Sequence, residues 1–181
     1  MWKERREFLE NFALDPNWHH PDSGSTALHH ACQHSLELLV SILLAHPGID
    51  VNSKNNQRQT PFNAACAHHS TLLCLRLLLK DLRVNLGEPD NIGGTPLMNA
   101  VMYDNLVAIK WWIASGREMD TGEPGNEKTD AVGLAKIFQR ETEMFTLLKR
   151  FKESSTQTRH EIRKELGING QFFIGHRIAG I

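Results

Sequence analysis

The 181-residue chain is poor in cysteine, has no excess charge of one sign and contains no long apolar run. Three cysteines are an odd number and too few for a disulfide scaffold, so we expect a reducing compartment, the cytosol or the nucleus. With 20 basic and 21 acidic residues, the net charge is −1. That balance argues against a dedicated nucleic-acid-binding protein, whose affinity depends on a basic surface.

The longest apolar stretch, residues 36–45, is interrupted by Glu37 and Ser41. A membrane-spanning helix needs roughly 18–20 apolar residues in succession. We therefore expect no membrane span.

What the sequence does contain is an internal repeat of 34 to 35 residues. In four windows an alanine follows a threonine or aspartate by five positions, and the alanines are Ala31, Ala65, Ala100 and Ala135. Three more columns lie nine, twelve and thirteen positions after each alanine: Val40, Cys74, Ile109 and Met144; Leu43, Leu77, Trp112 and Leu147; Leu44, Leu78, Ile113 and Leu148. Four columns in phase predict four units that bury these residues against their neighbours.

Each window predicts two short helices joined by a turn. Thr60-Pro61 and Thr95-Pro96 are typical of a helix start, because the threonine hydroxyl accepts free backbone N–H groups and proline suits the first helical position. The turn after the first helix falls on Ser35, His69, Asp104 and Gln139. None of these is glycine, so a left-handed backbone there carries strain, least for Asp104.

The windows resemble the ankyrin-repeat family. Its motif Thr-Pro-Leu-His-x-Ala-Ala is matched by the sequences that begin at Thr26, Thr60 and Thr95, and Asp-Val-Asn is matched at residues 50–52. The resemblance covers about residues 22–151 and implies an all-α solenoid of about four helix-turn-helix repeats with projecting hairpin loops. The fourth window lacks Thr-Pro and is interpreted as a degenerate terminal unit.

We expect three regions: an N-terminal partial repeat or cap (1–21), an ankyrin-like array (22–152), and a C-terminal helix with an apolar, glycine-rich tail (153–181). Phe8, Leu9 and Phe12 would form the helix of the leading cap. Residues 154–166 predict an amphipathic helix, ended by Gly167 and lying against the last repeat. The tail either docks on the stack or extends free of it.

The sequence contains no convincing motif for catalysis, nucleotide binding or metal binding. The segment 122–129 resembles a phosphate-binding loop but has Glu127 where glycine must precede the lysine. His30 and His34 are four apart, yet the cysteines and histidines lack the spacing of a zinc site. His29 occupies the family's usual histidine position, for which the resemblance implies a structural hydrogen bond. We expect no cofactor, no metal and no enzymatic activity.

The apolar columns of a repeat stack are buried between neighbouring units, so the residues left for a partner are those on the exposed surface. The residues after the first helices and at the loop tips differ from unit to unit, and the resemblance places them on a ridge and concave face. The predicted partner-binding residues are Gln33, His34, Asn56, Gln57, Gln59, His68, Asn91, Ile92, Met102 and Tyr103. We therefore predict a non-catalytic protein-interaction module, such as a scaffold, adaptor or inhibitor.

Alternatives stay open at several points. The chain can instead be a targeting fragment of a larger protein that carries its enzymatic domain elsewhere, and self-association is possible. Trp111 is expected to pack against a neighbouring helix rather than anchor an interface. Asparagines at the positions of Asn52 and Asn85 can be hydroxylated in ankyrin repeats, but the favoured interpretation is that they close the turn by hydrogen bonding.

Overall fold

A computed structural model describes residues 15–67, 72–122, 130–138 and 143–168. Within these ranges the chain forms helices only: α1 (Ala27–Gln33), α2 (Glu37–Ala45), α3 (Pro61–Ala67), α4 (Leu72–Lys80), α5 (Pro96–Met102), α6 (Leu106–Ser115), α7 (Ala131–Ile137), α8 (Glu143–Glu153) and α9 (Ser155–Glu165). The predicted all-α class and its four helix pairs are confirmed.

The helices form two layers. The first helices of the units, α1, α3, α5 and α7, pack in series, and each pairs with its own second helix. The second helices α2, α4 and α6 also pack in series. The arrangement is the predicted solenoid, in which each unit supplies one layer of core to the next.

The alanine column lies at the centre of this core. Ala31, Ala65, Ala100 and Ala135 have no exposed surface, and the column nine positions later is buried as well. Leu44 and Leu77 are only half-buried, although they belong to apolar columns. Small side chains at the alanine positions allow the first helices to approach closely.

The helix starts use the predicted polar groups. The Thr60 Oγ1 accepts from the Asn63 N–H at 3.3 Å, and the Thr95 Oγ1 accepts from the Met98 N–H at 3.3 Å. In the fourth unit the Asp130 carboxylate accepts from the Val132 N–H at 3.1 Å. The degenerate fourth unit therefore keeps a capped first helix, because aspartate replaces the capping function of Thr-Pro.

Two of the interhelical turns have a left-handed backbone. Ser35 has φ of 57° and Asp104 has φ of 58°. A side chain in this region costs roughly 1–2 kcal/mol, and aspartate tolerates it best. His69 and Gln139, the corresponding residues of the other two units, lie outside the described residues.

Helix α9 begins after Ser154, and Gly167 follows it with φ of 66°. It was expected to lie against the last repeat, but it contacts both α8 of that repeat and α6 of the third. The Arg159 Nε donates to the Ile113 carbonyl at 3.3 Å, and the Arg163 Nε donates to the Ala114 carbonyl at 2.7 Å. These bonds pair the arginines with carbonyl groups at the end of α6, of which the Ile113 carbonyl also accepts from the Gly116 N–H at 3.2 Å.

Three expectations fall on residues that are not described: the leading helix with Phe8, Leu9 and Phe12, the loop at 123–129, and the tail at 169–181. Of the helices in the described ranges, none has the length and apolar character required to cross a membrane.

Candidate protein-binding surface

The loop tips form a continuous hydrogen-bonded row, here called the loop ridge (residues 22–24, 55–59 and 90–94). The Asn56 side-chain amide donates to the Asp22 carbonyl at 2.9 Å, and its backbone N–H donates to the Ser23 carbonyl at 3.0 Å. One unit further along, the Asn91 N–H donates to the Gln57 carbonyl at 2.9 Å. The structure thus brings the predicted residues of successive loops into contact, and Asn56 and Gln57 have structural roles in addition to their exposure.

Buried polar side chains attach the loops that carry the loop ridge to the first helices. His29 donates from Nε2 to the Gln59 carbonyl at 2.8 Å, while its Nδ1 accepts from the Thr26 N–H at 3.1 Å. In the next unit the Asn63 amide donates to the Glu88 carbonyl at 3.1 Å. Burial lowers the pKa of His29 to about 4, so the ring is neutral at pH 7. The expected structural hydrogen bond of His29 is confirmed.

A second exposed row, the helix-end row, lies where the first helices end. It comprises Gln33, His34, Met102, Tyr103, Ile137 and Phe138, all of them exposed. Its polarity changes along the stack, from an amide and a histidine in the first unit to four apolar or aromatic side chains in the third and fourth. The exposed fractions are 39% for Met102, 50% for Tyr103, 60% for Ile137 and 41% for Phe138.

Ile137 and Phe138 occupy the same columns as Gln33 and His34, but they were not among the predicted contact residues. The repeat spacing alone places them in the row, so the signal was available in the sequence. Of the predicted residues, Ile92 is 80% exposed at the loop ridge. Gln59 is half-buried, and its carbonyl is occupied by His29. His68 lies outside the described residues.

The electrostatic character of these two rows is mixed. Lys54 and Glu88 form an ion pair at 2.6 Å beside the ridge, and Arg58, Asp104 and Lys136 are exposed. The rings of His30 and His34 stack with centroids 6.2 Å apart. Burial and the neighbouring His34 and His20 lower the pKa of His30. With no dominant charge, shape and apolar contact distinguish this surface more than long-range attraction.

The cysteines are placed for packing. Cys32, Cys66 and Cys74 are free thiols with no exposed surface, and burial raises the pKa of each. A thiol that is buried and protonated is a poor nucleophile and a poor metal ligand. Among the described residues, no three histidine, cysteine, aspartate or glutamate side chains gather in a way that would hold a metal ion.

Two further expectations concern Asn52 and Trp111. The Asn52 amide donates to the Arg83 carbonyl at 2.8 Å and accepts from the Asn85 N–H at 2.7 Å, so it links two units by hydrogen bonds. Trp111 is buried, and the Arg76 guanidinium lies 4.3 Å from its ring centroid. The expectation that Trp111 packs against a neighbouring helix is confirmed, and hydroxylation of Asn52 or Asn85 stays a hypothesis.

Comparison with known proteins agrees with this geometry. SMC5-SMC6 complex localization factor protein 1 of Bos taurus and of Homo sapiens is 36% identical over 93 residues, which is 51% of this chain and 9% of the relative. The Mus musculus protein of that name is 38% identical over 83 residues, 45% of this chain and 8% of the relative. The chain therefore matches less than a tenth of the length of these curated relatives.

The family model for ankyrin repeats (three copies) matches residues 4–88 and 40–123, which together are more than half of the chain. The match spans the first three units, which carry the loop ridge and the helix-end residues up to Tyr103. The chain belongs to the ankyrin-repeat family.

Proposed function

We propose that the chain is a non-catalytic protein-interaction module that binds a protein partner along the loop ridge and the helix-end row. The observation that carries the proposal is the exposure of Met102, Tyr103, Ile137 and Phe138 in adjacent units. Contiguous exposed apolar residues of this kind mark interaction sites on soluble proteins. Aromatic residues and methionine are also enriched at the centres of protein interfaces.

The mode of recognition follows from how the surface is held. The bonds from His29 and Asn63 fix the loops against the first helices before any partner arrives. A surface ordered in advance loses little conformational freedom on binding, so more of the contact energy becomes affinity. Tyr103 and Phe138 would anchor the contact, while Gln33, Asn91 and His34 would provide polar complementarity.

A second candidate is that the chain acts as a targeting part of a larger protein. This is supported by the short fraction of the curated relatives that it matches, 9% of their length. The printed name of those relatives describes a localization factor for the SMC5-SMC6 complex, and we propose a comparable recruiting role for this chain. The three unpaired cysteines favour a reducing compartment, the cytosol or the nucleus.

The test is quantitative affinity purification with the full chain and two variants. Met102→Ala/Tyr103→Ala removes the centre of the helix-end row, whereas Leu82→Ala removes a more exposed apolar residue, 80% accessible, outside both rows. We expect at least one protein to be captured by the wild type and by Leu82→Ala and to fall at least tenfold with the double variant. Equal capture by all three proteins would show that the helix-end row is not the binding site.

A further inference from the structure

A cavity of about 340 Å³, here called the interloop cavity, lies beside the third unit. One side is formed by residues 84–87, which follow α4, and the other by residues 117, 118 and 120, which follow α6. Ligand pockets range from about 300 to 1,000 Å³, so this volume suits one side chain of a partner rather than a helix or a strand. None of the residues of the loop ridge or the helix-end row lines the cavity.

The inner wall of the interloop cavity is apolar. It is formed by four core side chains, each at most 6% exposed: Val84, Leu86, Leu97 and Trp112. Core packing holds this wall in place, since the Trp112 ring packs edge-on against Phe62 with ring centroids 5.0 Å apart. A wall of this kind suits the methylene stem of a long side chain, which packs on apolar surface while its polar head stays near water.

Two carboxylates lie on the solvent side of the same cavity. Glu118 and Asp120 both line it, and both are exposed. Among the residues that the structure describes, the Glu118 carboxylate has no hydrogen-bond or ion-pair partner, and one oxygen of Asp120 accepts from the Gly122 N–H at 2.8 Å. The cavity therefore offers available acceptor oxygens next to its apolar wall.

The side-chain N–H groups of the lining, in contrast, already donate within the chain. Arg117 donates to backbone carbonyls of the preceding repeat. The Asn85 amide donates to the Glu88 carboxylate at 2.9 Å, and Trp112 donates from Nε1 to the Glu118 carbonyl at 3.0 Å. The lining carries one positive and two negative charges, so an anion would be repelled, whereas a cation with N–H groups would find acceptors.

We propose that the interloop cavity binds a single basic side chain, lysine or arginine, of a protein partner. The stem of that side chain would lie along Leu97 and Trp112, and its charged head would donate to the carboxylates of Glu118 and Asp120. Hydrogen bonds between ionised groups are roughly twice as strong as those between neutral groups. The site would thus select partners by one basic residue.

One partner can reach both this cavity and the helix-end row. Thr95 lines the cavity and precedes α5, and Met102 is the last residue of that helix. Seven helical residues at about 1.5 Å each separate the two places by roughly 10 Å. The inference rests on the proposed function only in that a protein supplies the side chain. Binding by the cavity itself is tested with small probes, so failure of the site and failure of the proposed function are distinguishable.

Nuclear magnetic resonance of the full chain tests the site. The probes are the Nα-acetyl amides of lysine and of arginine, and the matched control is the Nα-acetyl amide of norleucine, which keeps the apolar stem of lysine without the ammonium group. We expect the amide signals of residues 84–87 and 117–120 and the Trp112 indole signal to shift with at least one basic probe. The shifts should be at least threefold smaller with norleucine at the same concentration.

Equal shifts with norleucine would overturn the assignment to a basic side chain. No shift of these signals with either basic probe would overturn the site itself. A response to only one basic probe would support the site and identify which of the two side chains it takes.

A charge-removing variant sharpens the test. Glu118→Gln/Asp120→Asn keeps the size of both side chains, and asparagine can still accept from the Gly122 N–H. We expect the basic probe to bind about fivefold more weakly or less tightly still, in line with about 1 kcal/mol for an exposed ion pair. Signals outside the cavity verify that the variant is folded.

The matched control is Glu37→Gln/Glu153→Gln, which removes two exposed carboxylates that do not line the cavity. It makes the same change in net charge and should leave binding of the probe unchanged. Equal weakening by the two double variants would show that overall charge, rather than the interloop cavity, attracts the probe, and would contradict the proposal.

Discussion

The two halves of the stack differ in the contacts that join neighbouring repeats. Between the first and second units most bridges are neutral: His29 reaches the Gln59 carbonyl, and Asn52 reaches Arg83 and Asn85, beside one bond from Arg83 to the Leu44 carbonyl. Between the second and third units an arginine and a large aromatic core side chain join an amide bridge: Arg117 donates to backbone carbonyls of the preceding repeat, Trp112 packs against Phe62, and the Asn105 amide donates to the Cys66 carbonyl. The exposed surface changes in parallel, from polar to apolar.

This difference indicates that different kinds of side-chain contact can hold neighbouring repeats in the same register. Both halves satisfy the same requirement, which is to pair the backbone groups left at the ends of short helices and loops. The amide and histidine bridges depend on two or three neutral hydrogen bonds, whereas the arginine bridge depends on one charged group with several donors. The two halves should therefore respond differently to substitution and to pH.

The largest expected effect is that of Trp112→Ala. Trp112 is 2% exposed, stacks edge-on against Phe62 with ring centroids 5.0 Å apart, and donates from Nε1 to the Glu118 carbonyl at 3.0 Å. Truncation of a buried tryptophan leaves a cavity, so we expect a loss of about 3–5 kcal/mol in the free energy of unfolding. Urea denaturation measures it, with the exposed Tyr103→Ala as the aromatic control that should change by less than about 0.5 kcal/mol. Comparable losses for the two variants would contradict the assignment of Trp112 to the core.

Arg117→Met should have the next largest effect. The Arg117 guanidinium donates to the Asp81 carbonyl at 2.9 Å and to the Val84 carbonyl at 2.6 Å. Methionine keeps the apolar stem but leaves these carbonyls without their charged donor, so we expect a loss of about 2–3 kcal/mol in urea denaturation. Arg117→Lys keeps the charge but not the fork of donors and should recover less than half of that loss. Full recovery by lysine would show that charge alone holds the junction.

The N-terminal half should be the pH-sensitive one. The pKa of His29 is about 4 in the folded chain and near 6.5 when unfolded, because burial disfavours the charged ring. The unfolded state therefore takes up the proton first, and this stabilisation is complete above pH 6.5 and is lost as the pH falls from 6.5 toward 4. Between pH 7 and pH 5 the linked loss is about 2 kcal/mol.

The matched control for this pH dependence is His29→Asn, since Asn63 makes the corresponding bond in the next unit. The variant should lose about 2 kcal/mol less than the wild type between pH 7 and pH 5, as measured by urea denaturation at both values. Parallel pH curves for the two proteins would place the titration elsewhere among the ten histidines.

Asn52→Ala should have the smallest effect, about 1 kcal/mol, because Asn52 is half-buried and water can replace part of its bonding. Asn52→Asp separates its two bonds: the carboxylate can still accept from the Asn85 N–H but cannot donate to the Arg83 carbonyl. We expect aspartate to be intermediate in chemical denaturation. A stability equal to that of the wild type would show that the donated bond contributes nothing.

The fold could be predicted from the sequence because the same residue pattern recurs in four windows. A position that is ambiguous in one window is clear in the others. The alanine column and the columns nine and twelve positions later fix the helix pairs, and the same register locates the interhelical turns at Ser35 and Asp104, where the backbone is left-handed. The location of α9 was only partly predicted. Its contacts with α6 depend on Arg159 and Arg163 reaching carbonyls 46 and 49 residues away, and no local pattern encodes such a pairing.

The candidate surface was predicted less completely than the fold. Repeat spacing places Ile137 and Phe138 in the helix-end row, although they were not among the predicted partner-binding residues. Conversely, Gln59 lies in a loop tip and looks free in the sequence, yet its carbonyl binds His29. Exposure of a repeat position depends on the neighbouring unit, and that information is not contained in the residue itself.

The most direct test of the binding surface is site-specific photo-crosslinking of the full chain. A benzoylphenylalanine at Tyr103 should capture a discrete protein partner, and the same probe at Leu82, which is 80% exposed but lies outside both rows, should not. The account predicts at least a tenfold difference in cross-linked product between the two positions. Equal cross-linking at both positions, or capture only at Leu82, would contradict it.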